Sequence, residues 1–444
     1  MKSLSLLSIL NCVVVIIFIG CKEQPNFKDI PKPNIIIILA DDLGYGGIGC
    51  YGNTDIKTPH LDELAEKGIR FTDFHSNGSV CTPTRAALLT GQYQQRSGME
   101  GVIYVKGETR EVGLDTSRTT IADILGSNGY TTGIMGKWHL GYKKEYNPVH
   151  QGFDEFFGYV SGNVDYHSHY DNAAIYDWWH NLDSISEKGY VTDLITDHSI
   201  DFIDRNKDKP FFLYISHEAP HVPFQGRKDS AYRFPGEEFS YYGPVKDTAA
   251  TYKEMVEVMD EGIGKVIQAL RKNNLEKNTL VFFLSDNGAE KFGHNGGLNG
   301  EKISLLEGGH RIPAIAYWKD RIHEGVSSEI LMTMDVMPTL ASISGVEASE
   351  VKNLDGVDFS QALFENNPIE RRTLFWRYRN QKAVRNGKWK LYIAKSDTAL
   401  FDLQKDIRET NNLYKSETGV LRQLANELDE WESEMGSTAA MKTK

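Results

Sequence analysis

Cysteine is scarce in this sequence, at four of 444 residues. Cys12 and Cys21 lie in or beside an apolar leader, so Cys50 and Cys81 alone remain for the folded part. Two lone thiols exclude a disulfide framework, although they leave a single Cys50–Cys81 bridge open. Positive charge is also short: 49 Lys and Arg against 61 Asp and Glu give a net charge of -12. That balance excludes the broad basic face of a nucleic-acid binder. It also means that an anionic substrate needs a cationic pocket built locally. Low-complexity tracts and repeats at solenoid or propeller periods are absent, which excludes those architectures. With 40% hydrophobic and 25% charged residues, the chain can bury one large core and a smaller second one.

Only the leader is long and apolar. Met1-Lys2 supplies a short positive start, and Leu4 to Ile19 is apolar apart from Ser5, Ser8 and Asn11. This is shorter than a comfortable membrane span and fits residues 1–20 as a signal peptide. It ends in Phe18-Ile19-Gly20-Cys21, which resembles a bacterial lipobox. The resemblance implies cleavage before Cys21 and lipidation of Cys21. The product would be an exported lipoprotein of a bacterium, periplasmic or at the cell surface, attached to the membrane by its lipid. A plain secretory signal is the alternative. Residues 21–32, polar with two prolines, read as a tether.

Uninterrupted apolar runs at Asn34–Ala40, Thr131–Met135, Phe211–Ser216, Thr279–Leu284 and Ile312–Trp318 read as buried parallel strands. Helical patterns lie between them, at His60–Lys67, Arg85–Gln92, Thr119–Asn128, Thr192–Asn206, Thr251–Lys272 and Met334–Ser344. The alternation predicts an α/β fold with a large, mostly parallel central sheet flanked by helices, over residues 33–368. From 369 to 444 the pattern changes to short antiparallel strands and an amphipathic helix at Val420–Met435, a small C-terminal α+β subdomain. Polar residues follow the strands: Asp41-Asp42, Lys137 with His139, His217 with His221, and Asp286-Asn287. Ligand sites of parallel sheets lie beyond the carboxyl ends of the strands, so these segments converge on one edge.

Asp41, Asp42, Asp286 and Asn287 are hard oxygen donors with no His or Cys close beside them. That set favours calcium or magnesium over zinc. Asp41-Asp42 alone fit a turn or helix cap equally well; two such pairs, each after a strand, point to a metal. In Cys81-Thr82-Pro83-Thr84-Arg85, Pro83 suits the first turn of a helix. Cys81 then sits at the positive helix end. The residues alone leave open an activated thiol or an inert buried one.

The string Cys-x-Pro-x-Arg with Thr90-Gly91 five and six positions after Arg85 resembles the maturation signature of sulfatases. Gly129-Tyr130-Thr131-Thr132-Gly133 with Gly136-Lys137-Trp138-His139-Leu140-Gly141 resembles their second signature. Ala219-Pro220-His221-Val222-Pro223, Ser285-Asp286-Asn287-Gly288, and Lys302 followed by Glu307-Gly308-Gly309 and Arg311-Ile312-Pro313 resemble further loops of the family. Leu400-Phe401-Asp402-Leu403, with Glu409 and Asn412-Leu413, resembles its C-terminal subdomain. The chain thus resembles formylglycine-dependent type I sulfatases of the alkaline phosphatase superfamily, bacterial polysaccharide sulfatases among them.

The resemblance implies that a separate formylglycine-generating enzyme oxidises Cys81 to formylglycine (3-oxoalanine), and that its hydrate attacks sulfur. Asp41, Asp42, Asp286, Asn287 and the modified residue 81 would hold Ca2+. Arg85 would hold residue 81 in place, and Lys137 and Lys302 would stabilise the sulfuryl oxygens. His221 would protonate the leaving alcohol, and His139 would take the proton that lets sulfate depart. Ser161 falls where the family sometimes has another sulfate contact.

Residues 163–181 are rich in Tyr, His and Trp, including His167, His169, Trp178 and Trp179. Such a set suits a sugar platform, though the tryptophans fit a core equally. His167 and His169 alternate as on a strand and would face one side. His294, in Gly293-His294-Asn295-Gly296-Gly297, fits a substrate contact or a plain turn. A sulfated carbohydrate is the expected substrate, of galactan (carrageenan) or glycosaminoglycan type. The alternatives are a phosphodiester or phosphonate monoester hydrolase of the same superfamily, and a catalytically dead glycan-binding lipoprotein.

Overall fold

The computed structural model describes residues 31–243, 245–346, 351–365, 367–395 and 397–436. The leader, Cys21 and the tether up to residue 30 lie outside the described residues. Among those described, no helix is long and apolar enough to cross a membrane.

Asn34–Ala40 is a central strand whose seven residues are all buried. Ile35, Ile37 and Leu39 join one hydrophobic core, while Ile36, Ile38 and Ala40 join another. Both faces are therefore covered, which is why the run is apolar throughout. Burial of each such Ile contributes about 1.5–3 kcal/mol. The helices Pro59–Glu66, Val191–Asn206 and Thr248–Lys272 contribute to the core of Ile36 and Ile38. Cys81–Thr90, Ile121–Ser127 and Val336–Ile343 contribute to the opposite one.

The sheet has ten strands, in the order Gly325–Ser327, Ile69–Phe71, Ala314–Tyr317, Thr279–Ser285, Asn34–Ala40, Phe211–Ser216, Thr131–Lys137, Glu155–Tyr159, Trp179–His180 and Asp183–Ser184. The run from Thr279–Ser285 to Glu155–Tyr159 is parallel. Pairing Ala40 with Ser285 and Leu39 and Gly136 with Ser216 brings the carboxyl ends of four strands level. Ala314–Tyr317 corrects the sequence reading, because it pairs antiparallel with both neighbours. A parallel return needs a long crossover. The only helix between Thr279–Ser285 and this strand is Glu307–His310, four residues long, so the chain re-enters from the edge it left.

Thr373–Tyr378, Gln381–Asn386, Trp389–Ala394 and Asp397–Asp402 form a separate antiparallel sheet, followed by the helix Thr418–Met435. Its core includes Leu374, Trp376, Val384, Leu391, Leu424 and Leu428, and also Val80, Ala87 and Leu305. The small sheet thus packs on the segments that carry Cys81 and Lys302.

Candidate active site

Asp41 and Asp42 follow the central strand and are buried. Asp41 Oδ2 accepts a hydrogen bond from Lys137 Nζ and lies 3.6 Å from Arg85 Nη2, while its Oδ1 has no partner. Asp42 turns through a positive φ of 63°, a conformation Asp tolerates better than most residues. Its Oδ2 accepts from Lys302 Nζ at 2.6 Å and its Oδ1 from Asn287 Nδ2 at 2.7 Å. Asp286 Oδ1 accepts from the Asp42 amide at 3.1 Å. The amide oxygen of buried Asn287 has no partner. Asp41, Asp42 and His221 offer ligand atoms that all lie within 4.8 Å of one another.

Cys81 opens the helix Cys81–Thr90 and is buried. Cys50 and Cys81 are both free, which removes the disulfide alternative. One turn on, the buried Arg85 fork donates through Nε and Nη2 to Asp286 Oδ2 at 3.1 and 2.9 Å. Its Nη1 donates to Ser216 Oγ at 2.6 Å and to the Lys137 carbonyl at 3.2 Å. A planar guanidinium suits such a fork, whereas a lysine could not span it. Arg85 therefore joins the helix that Cys81 opens to the ends of three strands.

Protonation follows from the partners. His221 Nδ1 sits 2.6 Å from the Val222 carbonyl. A carbonyl only accepts, so Nδ1 carries the proton and Nε2, 3.6 Å from Asp42 Oδ2, is the free atom. His139 is reversed: Nε2 donates to the Ile103 carbonyl at 2.9 Å and Nδ1 is buried without a partner. Burial, then the charges of Lys302 and Lys137 respectively, holds both imidazoles well below the usual pKa. Burial raises Asp41 despite Lys137 and Arg85. Burial and the Asp41 charge push Asp286 up to about 7. Burial opposes ionisation of Asp42 too, but Lys302 and His221 hold it at about 2. Burial thus opposes full ionisation of Asp41 and Asp286 even with Lys137 and Arg85 beside them.

Residues 33–346 match the family described as Sulfatase. The chain belongs to the sulfatase family. Residues 300–434 of this sulfatase also match the family described as N-sulphoglucosamine sulphohydrolase, C-terminal. It is 34% identical over 454 residues to arylsulfatase A of Homo sapiens, covering 87% of this chain and 84% of that one. It is 33% identical over 390 residues to N-acetylgalactosamine-6-sulfatase of Rattus norvegicus, covering 81% and 71%. The crystal structure of Ps i-CgsB superposes with a TM-score of 0.84 at 33% identity, over 93% of this chain and 96% of that one. The protein is thus a sulfuric ester hydrolase.

In this sulfatase a cavity of about 250 Å³ is lined by Cys81, His139, Ser161, His221 and Lys302, bringing five of the residues singled out in the sequence to one space. Ser161 is held there by its amide on Asp177 Oδ2 at 2.8 Å. His167 and His169 are not among the lining residues, and neither lies on a strand. His167 Nε2 is bonded to the Gly226 carbonyl at 3.0 Å, and His169 Nε2 to that of Gly189 at 3.1 Å. His169 has a φ of 61° and stacks on buried Trp178, so the expected pair facing the pocket is a pair of loop braces. His294 is exposed, takes the Gly296 amide on its Nδ1 at 3.3 Å, and does not line the cavity either. The sequence reading missed Tyr104, Tyr142, Asn172, Tyr241, Glu290, Tyr378 and Arg379 in the lining. Tyr378 and Arg379 come from the C-terminal sheet, and the two-residue turn after an apolar-alternating strand was their only signal.

A second buried group, His75, Glu307 and His310, also has metal-like spacing. Lys390 Nζ lies 2.9 Å from Glu307 Oε1 and 3.0 Å from His310 Nε2, and Arg385 Nη1 lies 2.8 Å from His75 Nε2. Two cations already fill that space, so it is an ion network that ties His75 and the helix Glu307–His310 to the C-terminal sheet.

Proposed function

We propose that this sulfatase removes sulfate from a sulfated carbohydrate, with formylglycine at position 81 and calcium held by Asp41, Asp42, Asp286, Asn287 and residue 81. The observation that carries the metal reading is the pair of orphaned buried oxygens, Asp41 Oδ1 and Asn287 Oδ1. Buried acceptors without partners are costly, and an all-oxygen donor set fits a hard cation. Calcium supplies Lewis-acid charge at a sulfate oxygen, and an aldehyde hydrate at position 81 supplies a nucleophilic hydroxyl.

The chain's own residues do the rest. Lys137 and Lys302, whose ammonium groups rest on Asp41 and Asp42, receive the sulfuryl oxygens. Arg85 fixes the helix of residue 81 against Asp286. His221 Nε2 delivers the proton to the leaving alcohol oxygen, because an anion in the cavity offsets Lys302 and favours the imidazolium. His139 Nδ1 is the basic atom available to a hydroxyl at position 81, its other nitrogen being committed to Ile103.

The carbohydrate assignment draws on the relatives: the rat protein is named for N-acetylgalactosamine 6-sulfate chemistry, and Ps i-CgsB is also known in complex with k-i-k-neocarrahexaose. Tyr142, Tyr241, Asn172 and Glu290 in the lining suit ring stacking and hydroxyl binding. The sugar is of galactan or glycosaminoglycan type. Export and lipidation at Cys21, and maturation of Cys81 by a separate enzyme, complete the proposal. The test is sulfate release from sulfated galactans, fucans, glycosaminoglycans and an aryl sulfate, with Cys81→Ala as control. Release from one carbohydrate class, lost in the control, is the expected result. No release by protein carrying formylglycine and calcium would overturn it and bring forward phosphodiester or phosphonate hydrolysis.

A further inference from the structure

Lys302 is followed by Ile303 at a φ of 82°. A β-branched residue at positive φ is a genuine outlier that persists only where its surroundings impose it. Ile303 also stays 40% exposed at the cavity, so hydrophobic burial does not hold it there. Hydrogen bonds do. Its amide donates to the Ser79 carbonyl at 2.8 Å, two residues before Cys81. Its carbonyl accepts from Gln381 Nε2 at 3.0 Å, while Gln381 Oε1 accepts the Leu305 amide at 3.1 Å. One amide side chain thus spans Ser304 and ties down the backbone as it leaves the bend, while Ser79 holds the backbone as it enters. Tyr392 aims it, donating its hydroxyl to the same Oε1 at 2.9 Å. The far end of the loop is anchored separately, by Glu307 to Lys390 at 2.9 Å and by the Glu307 amide to Glu409 Oε2 at 2.6 Å.

We infer that Gln381, in the C-terminal sheet, is a positioning residue for catalysis: it holds Ile303 in its strained turn and so fixes Lys302 over Asp42 in the active site. The inference rests on the reading of Lys302 as a sulfate-binding residue. The Lys302 amide also donates to the Ala289 carbonyl at 3.0 Å and the Ser304 amide to the Glu301 carbonyl at 2.9 Å, so loss of the clamp loosens the turn and lets the Lys302 ammonium shift without unfolding it, while the Lys390 anchor keeps the fold. Displacements of about 1 Å can cost up to ~100-fold in rate.

The experiment is a double-mutant cycle on matured full-length protein, reading kcat/KM for an aryl sulfate. Gln381→Ala is expected to lose about 10- to 100-fold. Glycine adopts positive φ without strain, so the same change in an Ile303→Gly protein should cost no more than about threefold. A merely structural glutamine would cost the same in both backgrounds, and that result overturns the inference. So does undiminished activity of Gln381→Ala. If Gln381→Ala fails to fold by its melting curve, Gln381→Glu replaces it, since a carboxylate can accept from Leu305 but cannot donate to Ile303. Lys302→Ala runs beside these: unchanged activity there would strike the reading of Lys302 itself, and a loss there with equal Gln381 costs in both backgrounds would strike the clamp alone.

Discussion

Arg85 shows how little freedom a residue in this site has. Its guanidinium serves Asp286, Ser216 and the Lys137 carbonyl at once, fully buried. Arg85→Lys keeps the charge but not the fork, leaving buried acceptors unpaired. Breaking a buried ion pair costs about 3–5 kcal/mol, and a urea-denaturation curve should show a loss near the lower bound, with activity abolished. The cavity lining supports a contrasting pair. Arg379 lines the cavity and is exposed, with its guanidinium over the Tyr378 ring. Arg379→Ala is expected to raise KM for a sulfated oligosaccharide about tenfold, the value of one charge-assisted hydrogen bond. His167→Ala should leave KM within about twofold, because that ring faces the Gly226 carbonyl. Steady-state kinetics on the two variants decides both. These histidines also mark the limit of the sequence. Their alternation implied a shared face, but the positive φ at His169 and the turn at His167 break the period of two. Lys137, His139, His221 and Lys302 were legible because each sits in a string of neighbours that carries its own signal. Arg379 was not, since nothing around it specifies that its hairpin reaches the cavity.

At the scale of elements, the parallel strands were readable from unbroken apolar runs, and their direction placed the site. What was not readable was Ala314–Tyr317 running backwards, because an apolar run has no polarity; the connection decides it. Glu155–Tyr159 escaped as well, being five residues long with Gly158 inside. That glycine and Gly136 have a structural reason. Gly136 has φ 112°, and a Cβ there would fall 2.0 Å from the Ser216 carbonyl oxygen. At Gly158, φ is 143° and a Cβ would fall 2.0 Å from the Gly136 carbonyl oxygen. Both strands approach closely next to Lys137 and Ser216, which Arg85 joins. Gly136→Ala should therefore cost about 3 kcal/mol or more, from backbone strain and steric displacement together. It should also lower kcat, since it pushes the strand end that carries Lys137 away from Ser216. Chemical denaturation and kinetics on the same preparation check the two parts.

At the scale of the molecule, the net charge of -12 and the buried acid cluster make different demands on cations. An acidic surface attracts divalent ions loosely and is screened by salt. The cluster of Asp41, Asp42 and Asp286 is buried, with Asp286 pushed up to about 7 by burial and by Asp41. It is the place where a cation adds most to the folded state, since the unfolded chain cannot assemble it. Binding to the native state alone stabilises by about 4 kcal/mol when free calcium exceeds the Kd 1,000-fold. For a chain of this size that corresponds to a rise of about 5 °C in melting temperature. Calcium should produce the rise and a chelator should reverse it, at ionic strength high enough to mute the surface. In Asp41→Asn, which removes one orphaned oxygen charge and leaves the surface unchanged, the calcium-dependent part should largely vanish. An equal rise in that variant would place the effect on the acidic surface and count against the buried site. A rise with zinc but not with calcium would point away from the all-oxygen donor set altogether.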